Sequence, residues 1–439
     1  MMKPINVGLL GIGTVGGGTF RVLKRNKEEI TRRAGREIAI VTVADKDVEK
    51  ARAIVGDGVR VTADAFEVVR DPEIDIVVEL IGGYTVAREL VMAAIENKKH
   101  VVTANKALLA LHGNDIFAAA QRNGVMVAFE AAVAGGVPII KSLREGLTAN
   151  HIEWIAGIIN GTSNFILSQM RDRGASFEDA LKEAQARGYA EADPTFDIEG
   201  IDAAHKLTIM SAIAFGIPMQ FSKCYTEGIS KLTREDIRYA EEFGYRIKLL
   251  GITRRRPEGV ELRVHPTLVP ARQLIANVEG VMNAILVKGD VVGPTLYYGA
   301  GAGAEPTASA VVADLVDVTR LHTVDPNNRV PHLAFQPDAV QDIPILPMDQ
   351  VETSYYLRLR ALDRPGVLAD VARVLADLEI SIDAILQREP AEGEDQADII
   401  ILTHKTIEAR MNAAIARIEA LPTIIGKVTR IRLEFLNRH

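Results

Sequence analysis

Short runs of β-branched and aliphatic residues at 5–10, 38–44, 76–81, 100–103 and 125–130 alternate with amphipathic stretches such as 87–97 and 113–123. Uninterrupted apolar runs of that length predict strands buried on both faces. Their alternation with helical periodicity predicts a parallel sheet with helices on either side. The pattern then changes: 151–159 reads as a strand, and 164–173, 177–187 and 198–215 read as helices. Further strands are expected at 249–253, 262–268, 284–288 and 291–298. A glycine-rich run at 299–303 precedes a helix over 306–321, and a proline-rich stretch from 324 to about 351 reads as a linker. Beyond it, Tyr355, Leu357, Leu359 and Ala361 alternate with Arg358 and Arg360, which is strand period. The turn Asp363-Arg364-Pro365-Gly366 leads into a helix with Val367, Leu368, Val371, Leu375 and Leu378 on its apolar side. A strand at 380–387, an acidic loop at 389–396, a strand at 398–403, a helix at 407–421 and a strand at 427–435 complete the order βαββαβ.

Composition narrows the class. The 439 residues are 48% hydrophobic and 25% charged, as in a globular protein of several domains with ample core. A formal charge of −7 argues against nucleic acid as a partner, and the triplet Arg254-Arg255-Arg256 reads as a solvated turn. The single cysteine, Cys224, excludes an intrachain disulfide or a cysteine metal cluster. No apolar run approaches the ~20 residues needed to span a bilayer, so no membrane association is expected. The start of the chain does not read as a signal peptide, and a cytoplasmic setting is expected.

The run Gly11-Ile12-Gly13-Thr14-Val15-Gly16 follows the first strand and opens a helix. In a dinucleotide site, Gly11 permits the tight turn and Gly13 lets backbone approach a pyrophosphate. Gly16 lets the helix pack on the strand, and the helix N-terminus offers N–H groups to the phosphates. The glycine pattern alone is weak evidence. Its position between strand and helix, with Asp45 after the next strand, makes it specific. Asp45 suits the ribose hydroxyls of NAD, whereas Lys46 beside it suits the 2′-phosphate of NADP, so the preference stays open.

Thr103-Ala104-Asn105-Lys106 stands at the carboxyl end of a predicted sheet strand, where open α/β sheets bind ligands. Lys106 is therefore a candidate to neutralise substrate charge or position a nicotinamide. A stronger constellation lies at Gly188-Tyr189-Ala190-Glu191-Ala192-Asp193-Pro194, followed by a helix with Asp202 and Lys206 four residues apart on one face. That spacing is usually an ordinary surface pair. Here the rest of the helix is small and apolar, so its charged face is expected to line a polar cavity, with His205 as a packing residue. Reducing a carbonyl needs a group that protonates or stabilises the oxygen as charge develops; an ammonium oriented by a carboxylate does both.

These residues, with Ala134-Gly135-Gly136-Val137-Pro138 and Asn160-Gly161-Thr162-Ser163-Asn164, closely resemble the homoserine dehydrogenase family over about residues 5–322. The resemblance implies a reversible, NAD(P)-dependent reduction of L-aspartate 4-semialdehyde to L-homoserine. In it Lys206 is the proton donor, Lys106 a second essential lysine and Asp202 the support of Lys206. Glu191 holds substrate, and Thr103, Lys106, Gly188 and Gly303 line the cofactor. It also implies a sodium ion bound largely by backbone carbonyls, which falls on Glu130, Val133, Gly135 and Val137. The C-terminal unit resembles an ACT domain, a ferredoxin-like module that often binds an amino acid; threonine is the expected effector. The expected fold is a Rossmann-type doubly wound parallel sheet, a second α+β domain and the ACT module. The expected division is 1–135 completed by 304–322, then 136–303 for substrate and dimerisation, 323–350 as linker and 351–439 as the regulatory domain. A monofunctional homodimer or homotetramer is expected. The competing readings are a nicotinamide enzyme acting on another small aldehyde or keto acid, and a catalytically silent sensor.

Overall fold

A computed structural model describes residues 3–388 and 395–436. Chain contacts divide it into two compact units, 1–161 with 202–224 and 281–343, and 162–201 with 225–280 and 344–439.

The first unit is built on a six-stranded parallel sheet. Its strands are β1 (Ile5–Leu10), β2 (Ile38–Ala44), β3 (Arg60–Thr62), β4 (Ile76–Glu79), β5 (His100–Thr103) and β6 (Val127–Ala128). The spatial order is β3-β2-β1-β4-β5-β6, the doubly wound arrangement in which the winding direction reverses between β1 and β4. Ile5, Val7, Leu9, Val43, Ile76 and Val102 are buried within it, as their continuous apolar runs require. The helix Ala304–Leu321, far along the chain, packs on the same core through Ala308, Val311 and Leu315. Its N-terminus approaches the helix Thr14–Arg25 so closely that a Cβ on Gly18 would lie 2.6 Å from the Ala304 carbonyl oxygen. The unit also holds an antiparallel group of Ile152–Ile158, Met282–Gly289 and Gly293–Ala300.

Several expected elements shift for local reasons. β4 stops at Glu79 rather than 81, because the Glu79 carboxylate accepts the N–H groups of Ile81 and Gly82 and turns the chain. The 125–130 strand shrinks to two residues and runs into a 3-10 turn, Glu130–Ala132. The helix expected from 113 begins at Lys106, because the Asn105 side chain caps it by accepting the Leu108 N–H at 3.0 Å. The helix expected over 198–215 is broken at Gly200, whose φ of +79° leaves Thr195–Ile198 and Ile201–Phe215. Val291 and Val292 belong to a turn, their N–H groups accepted by Asn150.

The second unit contains the antiparallel pair Tyr245–Arg256 and Gly259–Pro270 and the C-terminal module. That module has the expected βαββαβ order: Glu352–Leu362, helix Val367–Asp377, Ile382–Gln387, Gln396–Thr403, helix Glu408–Glu419 and Ile424–Leu433, with a short extra strand at Thr406–Ile407. Tyr355, Leu357, Leu359, Val371, Leu375, Ile401, Met411 and Ile418 form its core. Residues 389–394 of the expected acidic loop lie outside the described residues. The strand Ile424–Leu433 also pairs in parallel with Gly259–Pro270, setting Arg432 beside Thr267 and Leu433 beside Leu268. The module therefore shares a sheet with the rest of its unit.

Candidate active site

The carboxyl ends of β1, β2 and β4 surround a cavity of about 690 Å³ lined by Gly11, Gly13, Asp45, Lys46, Gly82 and Tyr84, among others. Gly11 has φ +91°, and a Cβ there would lie 2.8 Å from the Leu80 carbonyl oxygen. A Cβ on Gly16 would collide with the Gly11 carbonyl, whereas one on Gly13 would meet nothing within 4 Å. The glycine at the mouth thus keeps backbone open to a ligand, and the other two permit the turn and the helix approach. The residues Ile12, Thr14 and Val15 complete this loop and the first turn of Thr14–Arg25. Asp45 ties the loop down: one carboxylate oxygen accepts the Ile12 N–H at 2.8 Å and the other accepts the Asp47 N–H at 2.9 Å. Lys46 beside it is exposed. This cradle fits a dinucleotide, with the pyrophosphate at the helix N-terminus.

At the end of β5, Thr103 donates its hydroxyl to the buried Glu79 at 2.7 Å and accepts the Asn105 N–H at 3.0 Å. Burial pushes the Glu79 carboxyl up, against the donors that hold it down. This bracing fixes the turn from which Lys106 projects, in the first position of its helix. The Lys106 Nζ lies 2.8 Å from Asp202 Oδ1. On the other side, Lys206 Nζ donates to Asp202 Oδ2 at 2.7 Å and to the Ile159 carbonyl at 2.8 Å. Asp202 is thus held between two ammonium groups. Burial alone would raise its carboxyl, but the charges of Lys206 and Lys106 hold it well below the usual carboxylate range. Asp202 and Lys206 are buried, whereas the Lys106 side chain is partly exposed.

Asn160 donates from Nδ2 to Asp202 Oδ2 at 2.9 Å and is itself buried. No role falls to it from spacing alone, although it opens the run 160–164. Its one available signal was the polar Asn-Gly-Thr-Ser-Asn sequence directly after a buried strand. His205 packs its ring 4.4 Å from that of Phe221, and burial lowers its value to about 4, so it stands as a neutral packing residue at pH 7.

Gly303, with φ +118°, caps Ala304–Leu321 in the first unit. Gly188 and Glu191 belong to the second unit. There both are exposed, with the Glu191 carbonyl accepting from Gln185 and the Tyr189 carbonyl accepting the Thr162 hydroxyl. The Glu130 carboxylate is buried and accepts the N–H groups of Ile140 and Lys141 at 2.9 and 2.7 Å; burial pushes its value up to about 7. Ala134 and Gly135 both have positive φ, turning the chain between Val133 and Val137. One carboxylate among carbonyls is an oxygen donor set suited to a hard cation, and a cation there would offset the burial of Glu130. Among the described residues, no group of three or more His, Cys, Asp or Glu could hold a metal ion, and no helix is long and apolar enough to cross a membrane.

A Rossmann-type nucleotide cradle and a lysine–carboxylate–lysine cluster define the class as an NAD(P)-dependent oxidoreductase. The family models for the homoserine dehydrogenase NAD-binding domain, for homoserine dehydrogenase itself and for the ACT domain match residues 11–130, 138–316 and 355–423. The homoserine dehydrogenase of Pseudomonas aeruginosa is 64% identical over 99% of this chain and 100% of its own length. A crystal structure of a homoserine dehydrogenase from Thiobacillus denitrificans superposes with a TM-score of 0.95 at 74% identity, covering 99% of both chains. That of the S. aureus enzyme at pH 7.5 gives 0.77 at 33% identity, covering 99% of this chain and 100% of its own. The chain belongs to the homoserine dehydrogenase family.

Proposed function

We propose that the protein catalyses the reversible reduction of L-aspartate 4-semialdehyde to L-homoserine, with Lys206 as the proton donor to the aldehyde oxygen. The observation that carries this reading is the Lys106–Asp202–Lys206 cluster, with Asp202 and Lys206 buried and Lys106 partly exposed. A reduced nicotinamide bound in the glycine-rich cradle would supply the hydride. Asp202 orients the Lys206 ammonium and keeps it charged, so that a proton stands ready where alkoxide character develops. Lys106 adds the second positive charge, which favours the oxyanion over the neutral aldehyde. Glu191 is assigned to the substrate ammonium, and Gly188, Thr103 and Gly303 to the cofactor's surroundings. Asp45 and Lys46 decide between NAD and NADP, the first through ribose hydroxyls and the second through a 2′-phosphate.

Sodium is assigned to the Glu130 carboxylate with carbonyls of Val133, Gly135 and Val137. Threonine is assigned to the ACT module as a feedback effector, in keeping with a place in threonine, methionine and isoleucine synthesis. A nucleotide-binding domain of 1–135 with 304–322, a substrate and dimerisation domain of 136–303, a linker of 323–350 and a regulatory domain of 351–439 describe this division of labour. The protein is assigned to the cytoplasm as a homodimer or homotetramer.

The test is oxidation of NADPH and NADH by the purified protein with aspartate semialdehyde, with and without threonine. Turnover is expected with at least one nucleotide. Folded protein that turns over neither would overturn the reading.

A further inference from the structure

Among the described residues of the C-terminal module, the guanidinium of Arg432 is fully buried. It faces two ways. Toward its own module, Nε donates to Glu408 Oε2 at 3.0 Å and Nη2 pairs with Glu408 Oε1, while the buried Tyr355 hydroxyl donates to the same carboxylate at 2.7 Å. Toward the 225–229 segment, Nη1 donates to Glu227 Oε2 at 2.8 Å and Nη2 to the Tyr225 hydroxyl at 3.0 Å. Tyr225 in turn donates to Glu227 at 2.7 Å, and its ring lies 4.9 Å from the guanidinium. Arg430 stands beside both carboxylates, so two guanidiniums face two carboxylates. Strand pairing of Arg432 with Thr267 fixes the backbone from which the side chain projects.

The segment that Arg432 grips is packed hard against the stretch leading from Glu191 to Asp202. The Glu227 N–H donates to the Val264 carbonyl at 2.8 Å, and the Ile229 N–H donates to the Ile198 carbonyl at 2.8 Å. Gly228 lies so close that a Cβ there would collide with the Ile198 carbonyl and with Glu199. Gly200, in its left-handed conformation, has Thr226 and Val264 3.1–3.2 Å from where its Cβ would stand. Ser163 holds the same stretch from another side, donating to the Asp197 carbonyl at 2.9 Å. Gly200 is the break that starts the helix bearing Asp202 and Lys206.

We propose that Arg432 and Glu227 are positioning residues. The regulatory module's last strand sets, through Glu227 and the 228–229 backbone, the placement of residues 197–200 between the substrate carboxylate Glu191 and the catalytic helix. This rests on the function proposed above for Glu191, Asp202 and Lys206, but the mechanical coupling itself does not. An arginine saturated only within its own module would be architecture; one whose Nη1 leaves it to hold a substrate-side segment makes the two move together.

The experiment uses the full chain and the variants Glu227→Ala, Glu227→Gln and Arg432→Lys. Glu227 is part-exposed, so its variants keep the test open if Arg432→Lys fails to fold. In Glu227→Ala, KM for aspartate semialdehyde is expected to rise roughly 3–30-fold. Nucleotide affinity by fluorescence and kcat should stay within about twofold, and Glu227→Gln should fall between the two. Amide hydrogen exchange at 197–201 should quicken by a similar factor while the core strand Leu357–Ala361 keeps its protection. Wild-type exchange at 197–201 in Glu227→Ala would overturn the proposal. So would a parallel loss of kcat, KM and nucleotide affinity that follows the folded fraction. If the wild-type protein shows no turnover, the functional reading fails, and the exchange measurement still decides the coupling.

Discussion

Two charge clusters in this molecule, each built on a buried carboxylate, look alike in composition and differ in their ratio of cations to carboxylates. In the first unit, two ammonium groups share one carboxylate, Asp202. In the second unit, Arg432 and Arg430 face Glu408 and Glu227, and the tyrosines 225 and 355 take up remaining hydrogen-bonding capacity. Both clusters bear the cost of removing charge from water. The balanced one recovers it by mutual saturation and holds strands together. The other gathers two ammonium groups around one carboxylate, an arrangement that favours a developing negative charge on a ligand.

Substitutions should therefore separate the clusters by what they damage. Arg432→Met leaves Glu408 and Glu227 with Arg430 as their remaining guanidinium and is expected to cost ~3–5 kcal/mol of stability, read by urea melts. The kcat of its folded fraction should stay within about threefold. Lys206→Ala should do the reverse, lowering kcat by ~100–1000-fold while the melting curve shifts little. Equal stability losses with intact turnover in both variants would erase the distinction.

Asn160→Ala sharpens the comparison inside the catalytic cluster. It removes one donor from Asp202 but neither lysine, so steady-state kinetics should show a loss of about 10-fold, in line with a hydrogen bond to a charged group. A loss as large as that of Lys206→Ala would mean that the amide, and not the ammonium pair, governs the cluster. The smallest effect is expected at Glu130, the one buried carboxylate here assigned to a cation. Its value stands above the ordinary 4.5, at about 7, so the fold favours the protonated form. That contribution is full below about pH 4.5 and is lost as pH rises through about 7. Replacing sodium by choline should accordingly lower Tm by about 2–4 °C at pH 8 and leave it unchanged at pH 5. Glu130→Gln should abolish the difference.

Much of this was legible along the chain because periodicity is local. The strands 5–10, 38–44 and 100–103 appear at the bounds read from their apolar runs. The glycine spacing of 11–16 carries its own steric reasons, and the Asp202–Lys206 pair follows from helical geometry alone. The helices Lys27–Ala34, Val48–Val55, Ala65–Arg70 and Arg234–Glu242 do not stand out in the hydrophobic pattern. They are short, and their hydrophobic faces offer only two or three positions to a periodicity search. Ends such as Glu79 and Gly200 lie elsewhere than the hydrophobic pattern predicts, because side-chain caps and one positive φ decide them.

What the sequence by itself determined, then, is the succession of elements, the nucleotide loop and the candidate lysines, since each depends on residues a few positions apart. Only the tertiary structure decided that Lys106, Asp202 and Asn160 meet, at separations of 96 and 42 residues from Asp202. The same holds for the reach of Arg432 back over 205 residues to Glu227. A charged side chain finds its partner by packing the elements that carry it, and nothing in the local pattern names the partner in advance.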